Sequence, residues 1–122
     1  MLYKDKFLLL QDLCARLPYG VIVKLDDKFK FNKGDRVLVK ELLDLYCVEG
    51  IKPYLRPMSS MTEEEANEWA KVSNMQFDME DGFFDAYDAH LSVDWLNAHH
   101  FDYRGLIEKG LALVALEGMY IN

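Results

Sequence analysis

Cysteine is nearly missing from this chain. Its two copies in 122 residues, Cys14 and Cys47, lie 33 positions apart with no CxxC and no second pair. That spacing excludes a disulfide framework and a zinc ribbon and fits a reducing cytoplasm. Both thiols read as small buried hydrophobes. With only 3 prolines and 7 glycines, collagen-like and low-complexity chains are excluded as well. No apolar run reaches the roughly 18 residues that a membrane helix needs. The run nearest the N-terminus, Phe7 to Leu10, is cut by Gln11 and Asp12 before it could serve as a signal-peptide core. The expectation is a cytoplasmic protein with no membrane partner.

Catalytic signatures are equally scarce. The chain has no HExxH, no GxSxG and no phosphate-cradling glycine loop. The acidic stretch Asp78-Met79-Glu80-Asp81-Gly82 lacks the alternation and the distal bidentate Glu of a calcium loop. Positive charge is short in one half only. Residues 1 to 60 carry a net +3 and residues 61 to 122 a net −10, within a total of −7. An acidic C-terminal half repels nucleic-acid phosphates, so direct nucleic-acid binding is not expected. Glu63, Glu64, Glu65 and Glu68 read as the solvated face of one helix.

What is present is enough for a core. Hydrophobic residues make up 51% of the chain, and at this length roughly two thirds of the extended surface can be buried. Disorder is therefore excluded, and residues 1–122 read as one domain with subregions 1–57 and 58–122. Leu10, Leu13, Cys14 and Leu17 share one side of a helix that Pro18 and Gly20 end. The period then becomes two. Val21 to Leu25 and Lys28 to Phe31 read as a hairpin, Asn32 to Asp35 as a turn, and Arg36 to Lys40 as a third strand. Residues 41–48 fit helix or strand, and strand is preferred as an edge cover. Ile51 to Pro57, with two prolines, reads as a stiff crossing segment between the subregions.

Thr62-Glu63-Glu64-Glu65 matches the capping box and opens a second helix that fades by Ser73 or Asn74, with Ala66, Trp69 and Ala70 inward. Met75 to Met79 and Phe83 to Tyr87 flank Asp81-Gly82 as a second hairpin. Ser92 and Asp102 each read as the cap of a C-terminal helix, the latter ending at Gly110. The predicted fold is α+β: an N-terminal helix and a small antiparallel sheet of SH3-like barrel type, then a helix, a short hairpin and two C-terminal helices.

Two blocks, Lys52-Pro53-Tyr54-Leu55-Arg56-Pro57-Met58-Ser59-Ser60-Met61-Thr62-Glu63-Glu64-Glu65 and the stretch from Asp94-Trp95-Leu96-Asn97-Ala98-His99-His100-Phe101-Asp102-Tyr103-Arg104-Gly105 to Leu113, carry a resemblance. They resemble a family of short uncharacterised bacterial proteins often associated with phages or other mobile elements. Asp12 to Gly20 belongs to the same pattern, and Leu116 stands where the resemblance implies Pro. It implies a coherent domain and no particular activity.

Within these blocks Tyr54, Arg56, Trp95, His99, His100, Tyr103 and Arg104 form the candidate binding set, because aromatic and Arg side chains dominate binding hot spots. The leading expectation is a non-enzymatic accessory or interaction domain whose partner is another protein, with no cofactor and no metal. Two alternatives stand beside it. One is a small metal-dependent hydrolase using His99 or His100 with Asp94 or Asp102. The other is an acidic inhibitor that mimics nucleic acid. On a helix, adjacent histidines diverge by about 100° and do not face one ion.

Overall fold

The computed structural model describes residues 2–27, 29, 34–43, 48–74 and 86–120, with backbone only for residues 74 and 86–90. It is an α+β fold whose mixed five-stranded sheet is open, so the expected barrel closure does not occur. Helix α1 (Tyr3–Arg16) runs into a 3₁₀ turn, Leu17–Tyr19, and Gly20 ends it in the left-handed region at φ 69°. Strands β1 (Ile22–Leu25) and β2 (Gly34–Val37) pair antiparallel, with Ile22 opposite Val37 and Leu25 opposite Gly34. Gly34 thus opens β2 instead of closing a turn before it. Except for Phe29, the expected strand at Lys28 to Phe31 lies outside the described residues.

Strand β3 (Ile51–Pro57) is the centre of the sheet, not a crossing segment. It pairs antiparallel with β1 and parallel with two short strands from the second half, β4 (Phe101–Asp102) and β5 (Leu113–Val114). The two sequence subregions therefore share one sheet. A proline is tolerated here for a local reason. Asp26 N–H donates to Gly50 carbonyl at 3.1 Å, and antiparallel hydrogen-bonded pairs alternate with non-bonded ones. The Val23/Pro53 pair falls on a non-bonded position, so β1 requires no N–H from Pro53, and on the other side the pairing with β5 begins only at Tyr54. The strand expected over 41–48 is replaced by 3₁₀ turns at Lys40–Leu42 and Val48–Gly50, with 44–47 outside the described residues.

Helix α2 (Glu63–Asn74) begins as the sequence predicts: Thr62 N–H donates to Glu65 Oε1 at 3.0 Å and Glu65 N–H to Thr62 Oγ1 at 3.1 Å. Ala66 and Ala70 are exposed, however, and the helix turns Trp69 and Val72 inward. Helix α3 (Ala86–Ala98) includes Ala86 and Tyr87, which were expected in a strand. Residues 75–85, the rest of that expected hairpin, lie outside the described residues. Ser92 sits inside α3 and caps nothing: its Oγ accepts from Trp69 Nε1 at 3.0 Å and lies 3.0 Å from Ser73 Oγ. The last expected helix is a run of turns. Asp102 does cap it, accepting from the N–H groups of Leu106 and Ile107 at 2.9 Å each.

Leu9, Leu13, Val21, Val23, Leu25, Ile51, Leu55 and Leu106 form the main core between α1 and the sheet. A smaller cluster holds Trp95, Leu96 and Phe101 under α2 and α3.

Candidate functional site

Leu9, Asp12, Leu13 and Arg16 are the buried residues of α1, spaced i, i+3, i+4 and i+7. The inner face is rotated from the expected one, and Cys14 is exposed, not buried. Two charged residues point inward because they neutralise each other. Arg16, 0% exposed, donates from Nε to Asp12 Oδ2 at 2.9 Å and from Nη2 to the Phe101 carbonyl at 2.5 Å. Arg104 arrives from the turn after β4 and donates to Asp12 Oδ1 at 2.6 Å. Both guanidinium groups lie over the Tyr103 ring, at 5.5 Å for Arg16 and 4.5 Å for Arg104. The Tyr103 hydroxyl donates to Asn97 Oδ1 at 2.9 Å.

Arg56 anchors β3 to the start of α2. Its two Nη atoms donate to the two Glu65 oxygens, each at 2.6 Å, and its guanidinium lies 4.2 Å from the Phe101 ring centroid. A bidentate fork of this kind is stronger than a neutral hydrogen bond. The Arg56 guanidinium, helped by the Thr62 N–H, holds the Glu65 carboxyl down at about 2 against the opposing effect of burial. Tyr54 is buried and donates from its hydroxyl to Asp35 Oδ1 at 2.9 Å. Burial, and then that carboxylate, push its phenol up.

The two histidines part company just past α3. His99 stacks on Trp95 at 3.9 Å with Nδ1 2.8 Å from the Trp95 carbonyl oxygen. Trp95 itself is buried, donates from Nε1 to Glu68 Oε1 at 3.1 Å and stacks on Phe101. His100 adopts φ 61°, the left-handed backbone that usually selects Gly after a helix. That geometry turns its ring the other way, onto Tyr120 at 3.8 Å. His100 is buried, and its Nδ1 has no hydrogen-bond partner among the described residues. Burial, with the nearby Arg16, His99 and Arg56, pulls the imidazole down to about 4. It is neutral at pH 7.

Tyr120 closes the arrangement. Its hydroxyl accepts from Ile22 N–H at 2.9 Å and donates to the Tyr54 carbonyl at 2.7 Å, bridging β1 and β3 where the next ladder bonds would fall. Burial raises this phenol to about 12. A cleft of about 290 Å³ lies beside it, lined by Arg56, Ser60, Tyr120 and the 114–118 tail.

The structure thus brings Arg56, Trp95, His99, His100, Tyr103 and Arg104 together near Phe101 and the ends of β3 and α3 as internal contacts, whereas the Tyr54 side chain reaches across the sheet to Asp35. Asp102 holds backbone N–H groups, and Asp94 is exposed. Among the described residues no group of three or more His, Cys, Asp or Glu side chains is placed to hold a metal ion. Sequence reasoning missed Asp12, Arg16, Glu65 and Tyr120 as members of the cluster. The signal for the first two was present: charges at i, i+4 on the same side as Leu9 and Leu13.

The outer face of α1 carries exposed aromatic side chains. Tyr3 and Phe7 are 63% and 51% exposed and meet edge to face at 4.8 Å. With Leu10, Cys14 and Leu17 they follow a spacing of four, three, four and three residues, the repeat of a helix-pairing seam. Leu10 and Leu17 lean partly onto the core. Lys4 is exposed and makes no ion pair among the described residues, whereas Lys6 pairs with Glu49 at 2.9 Å. No protein-family pattern, curated protein or solved structure matches the chain.

Proposed function

We propose that the protein is a non-enzymatic interaction domain that docks an amphipathic helix of another protein along the outer face of α1. The observation that carries this reading is the exposed apolar line of Tyr3, Phe7 and Cys14, continued by the half-buried Leu10 and Leu17. Soluble proteins rarely leave aromatic residues grouped on a surface unless the patch is used. Tyr and Phe supply large contact area with few rotatable bonds. The exposed Lys4 beside the line favours a docked helix with acidic flanks. Among the described residues Asp12, Arg16, Arg56, Arg104 and Asp102 are engaged in holding the fold.

The test compares capture by the wild-type chain with capture by a Tyr3→Asp/Phe7→Asp variant, with a photoreactive residue at position 7 mapping the contact. The expected result is a partner retained by the wild type, lost by the variant, and crosslinked through an acid-flanked helix. Capture that ignores the double substitution would overturn the reading. So would a wild-type chain that sediments as a dimer while the variant sediments as a monomer, because a second copy then covers the face.

A further inference from the structure

A second feature lies on the sheet face that carries Tyr54. The register of β1 and β3 places Lys24 directly opposite Lys52. The Asp26/Gly50 bond sets the alternation, so Lys24/Lys52 is a hydrogen-bonded pair, with Cα atoms about 5.5 Å apart. Like charges directly opposite each other destabilise a sheet. The natural remedy is a carboxylate on the next strand, and one is in position: Asp35 on β2 faces Lys24 from the other side. Its carboxylate is turned to the Tyr54 hydroxyl instead, at 2.9 Å. No described carboxylate lies within ion-pair distance of either ammonium group.

Both lysines line a cleft of about 240 Å³ with Asp26, Glu49, Gly50 and Leu113. Among the described lining residues the two lysines stand with two carboxylates, Asp26 and Glu49, of which Glu49 is paired with Lys6 from outside the cleft. Leu113 contributes the apolar side.

We infer that the Lys24–Lys52 cleft binds a small organic phosphate monoester, its phosphoryl group set between the two ammonium groups and its organic part against Leu113. Two adjacent point charges are matched by a dianion better than by a carboxylate, and a monoester carries about −1.5 to −2 at neutral pH. Lysine binds phosphate as a point charge without the planar fork that arginine offers to carboxylates. The volume is below the roughly 300 Å³ at which sites for larger ligands begin, so the ligand is small. This site is independent of the α1 face.

The experiment is an amide-resolved NMR titration of the full chain with phenyl phosphate, inorganic phosphate, acetate and chloride at matched ionic strength. Phenyl phosphate is expected to give saturable shifts at Lys24, Gly50, Lys52 and Leu113, stronger than inorganic phosphate. Binding should tighten as pH rises through about 6, where the second phosphate proton leaves. Lys24→Gln and Lys52→Gln should each weaken it by about tenfold while raising the urea midpoint, since each relieves the like-charge pair.

Equal responses to chloride and phosphate would reduce the effect to ionic strength and overturn the site. Tighter binding of inorganic phosphate than of phenyl phosphate would overturn the organic ligand. A fall in urea midpoint for both lysine variants would mean that the amines support the fold, and would overturn the premise.

Discussion

Arg104 and Asp12, 92 positions apart, meet at 2.6 Å, on the one carboxylate oxygen that Arg16 leaves open. The contact joins the turn after β4 to the inner face of α1. It also makes Asp12 the counter-charge of two guanidinium groups, one of them fully buried.

Replacing Asp12 by Asn keeps the shape and removes the charge. The buried Arg16 guanidinium then loses its counter-charge, a situation that costs about 3 to 5 kcal/mol. Arg104→Ala removes only the partly exposed arm and should cost about 1 kcal/mol. Urea denaturation of the two variants checks the order, and a smaller loss for Asp12→Asn than for Arg104→Ala would contradict it.

Arg56→Lys keeps the charge but loses the fork to Glu65 and the flat contact with Phe101. A loss of about 1 to 2 kcal/mol is expected. A carboxyl titration by NMR gives the more specific readout. Glu65 should titrate well above its wild-type value of about 2, because the largest influence lowering it has been weakened.

Tyr120→Phe retains the ring on His100 and deletes the hydroxyl. Ile22 N–H and the Tyr54 carbonyl then lose their bridge. Leaving such groups unsatisfied costs about 1 to 3 kcal/mol. Amide exchange should accelerate at Ile22 before it does at Lys24, which the ladder holds independently.

Acid should weaken the fold in two stages. The buried His100 imidazole titrates at about 4 against an ordinary 6.5, so the unfolded chain takes up the proton first. Its contribution is intact above 6.5 and is lost as pH falls towards 4, with a slope of about 1.4 kcal/mol per pH unit. Glu65 follows, its contribution intact above 4.5 and lost towards 2. Unfolding free energies measured against pH should show both windows. His100→Asn, which tolerates the left-handed backbone, should flatten the first.

The sequence made local structure readable where one segment supplies its own reasons. Pro18 and Gly20 stop α1, and Thr62 and Glu65 start α2, because the groups that cap those ends lie within a few residues. Ile51 to Pro57 was misread for the opposite reason. Two prolines in one run argue against a central strand, and only the pairing alternation with β1, together with the start of the β5 pairing at Tyr54, shows that Pro53 sits where no donor is needed. The candidate residues were found as a group, but their orientation was not. Tyr54, Arg56 and Trp95 carry the chemistry of binding surfaces, yet their polar atoms are used by Asp35, Glu65 and Glu68.

By itself, the sequence determined the end of α1, the start of α2, the alternation along β1, the α+β class and the divided charge, since these follow from spacing and composition along the chain. Only the tertiary structure decided which side of α1 faces inward. Periodicity places Asp12 and Arg16 beside Leu9 and Leu13, but burying that side draws on Arg104 and the Phe101 carbonyl, both more than 80 residues away, the first for the second oxygen of Asp12 and the second for Nη2 of Arg16, while Arg16 Nη1 has no hydrogen-bond partner among the described residues.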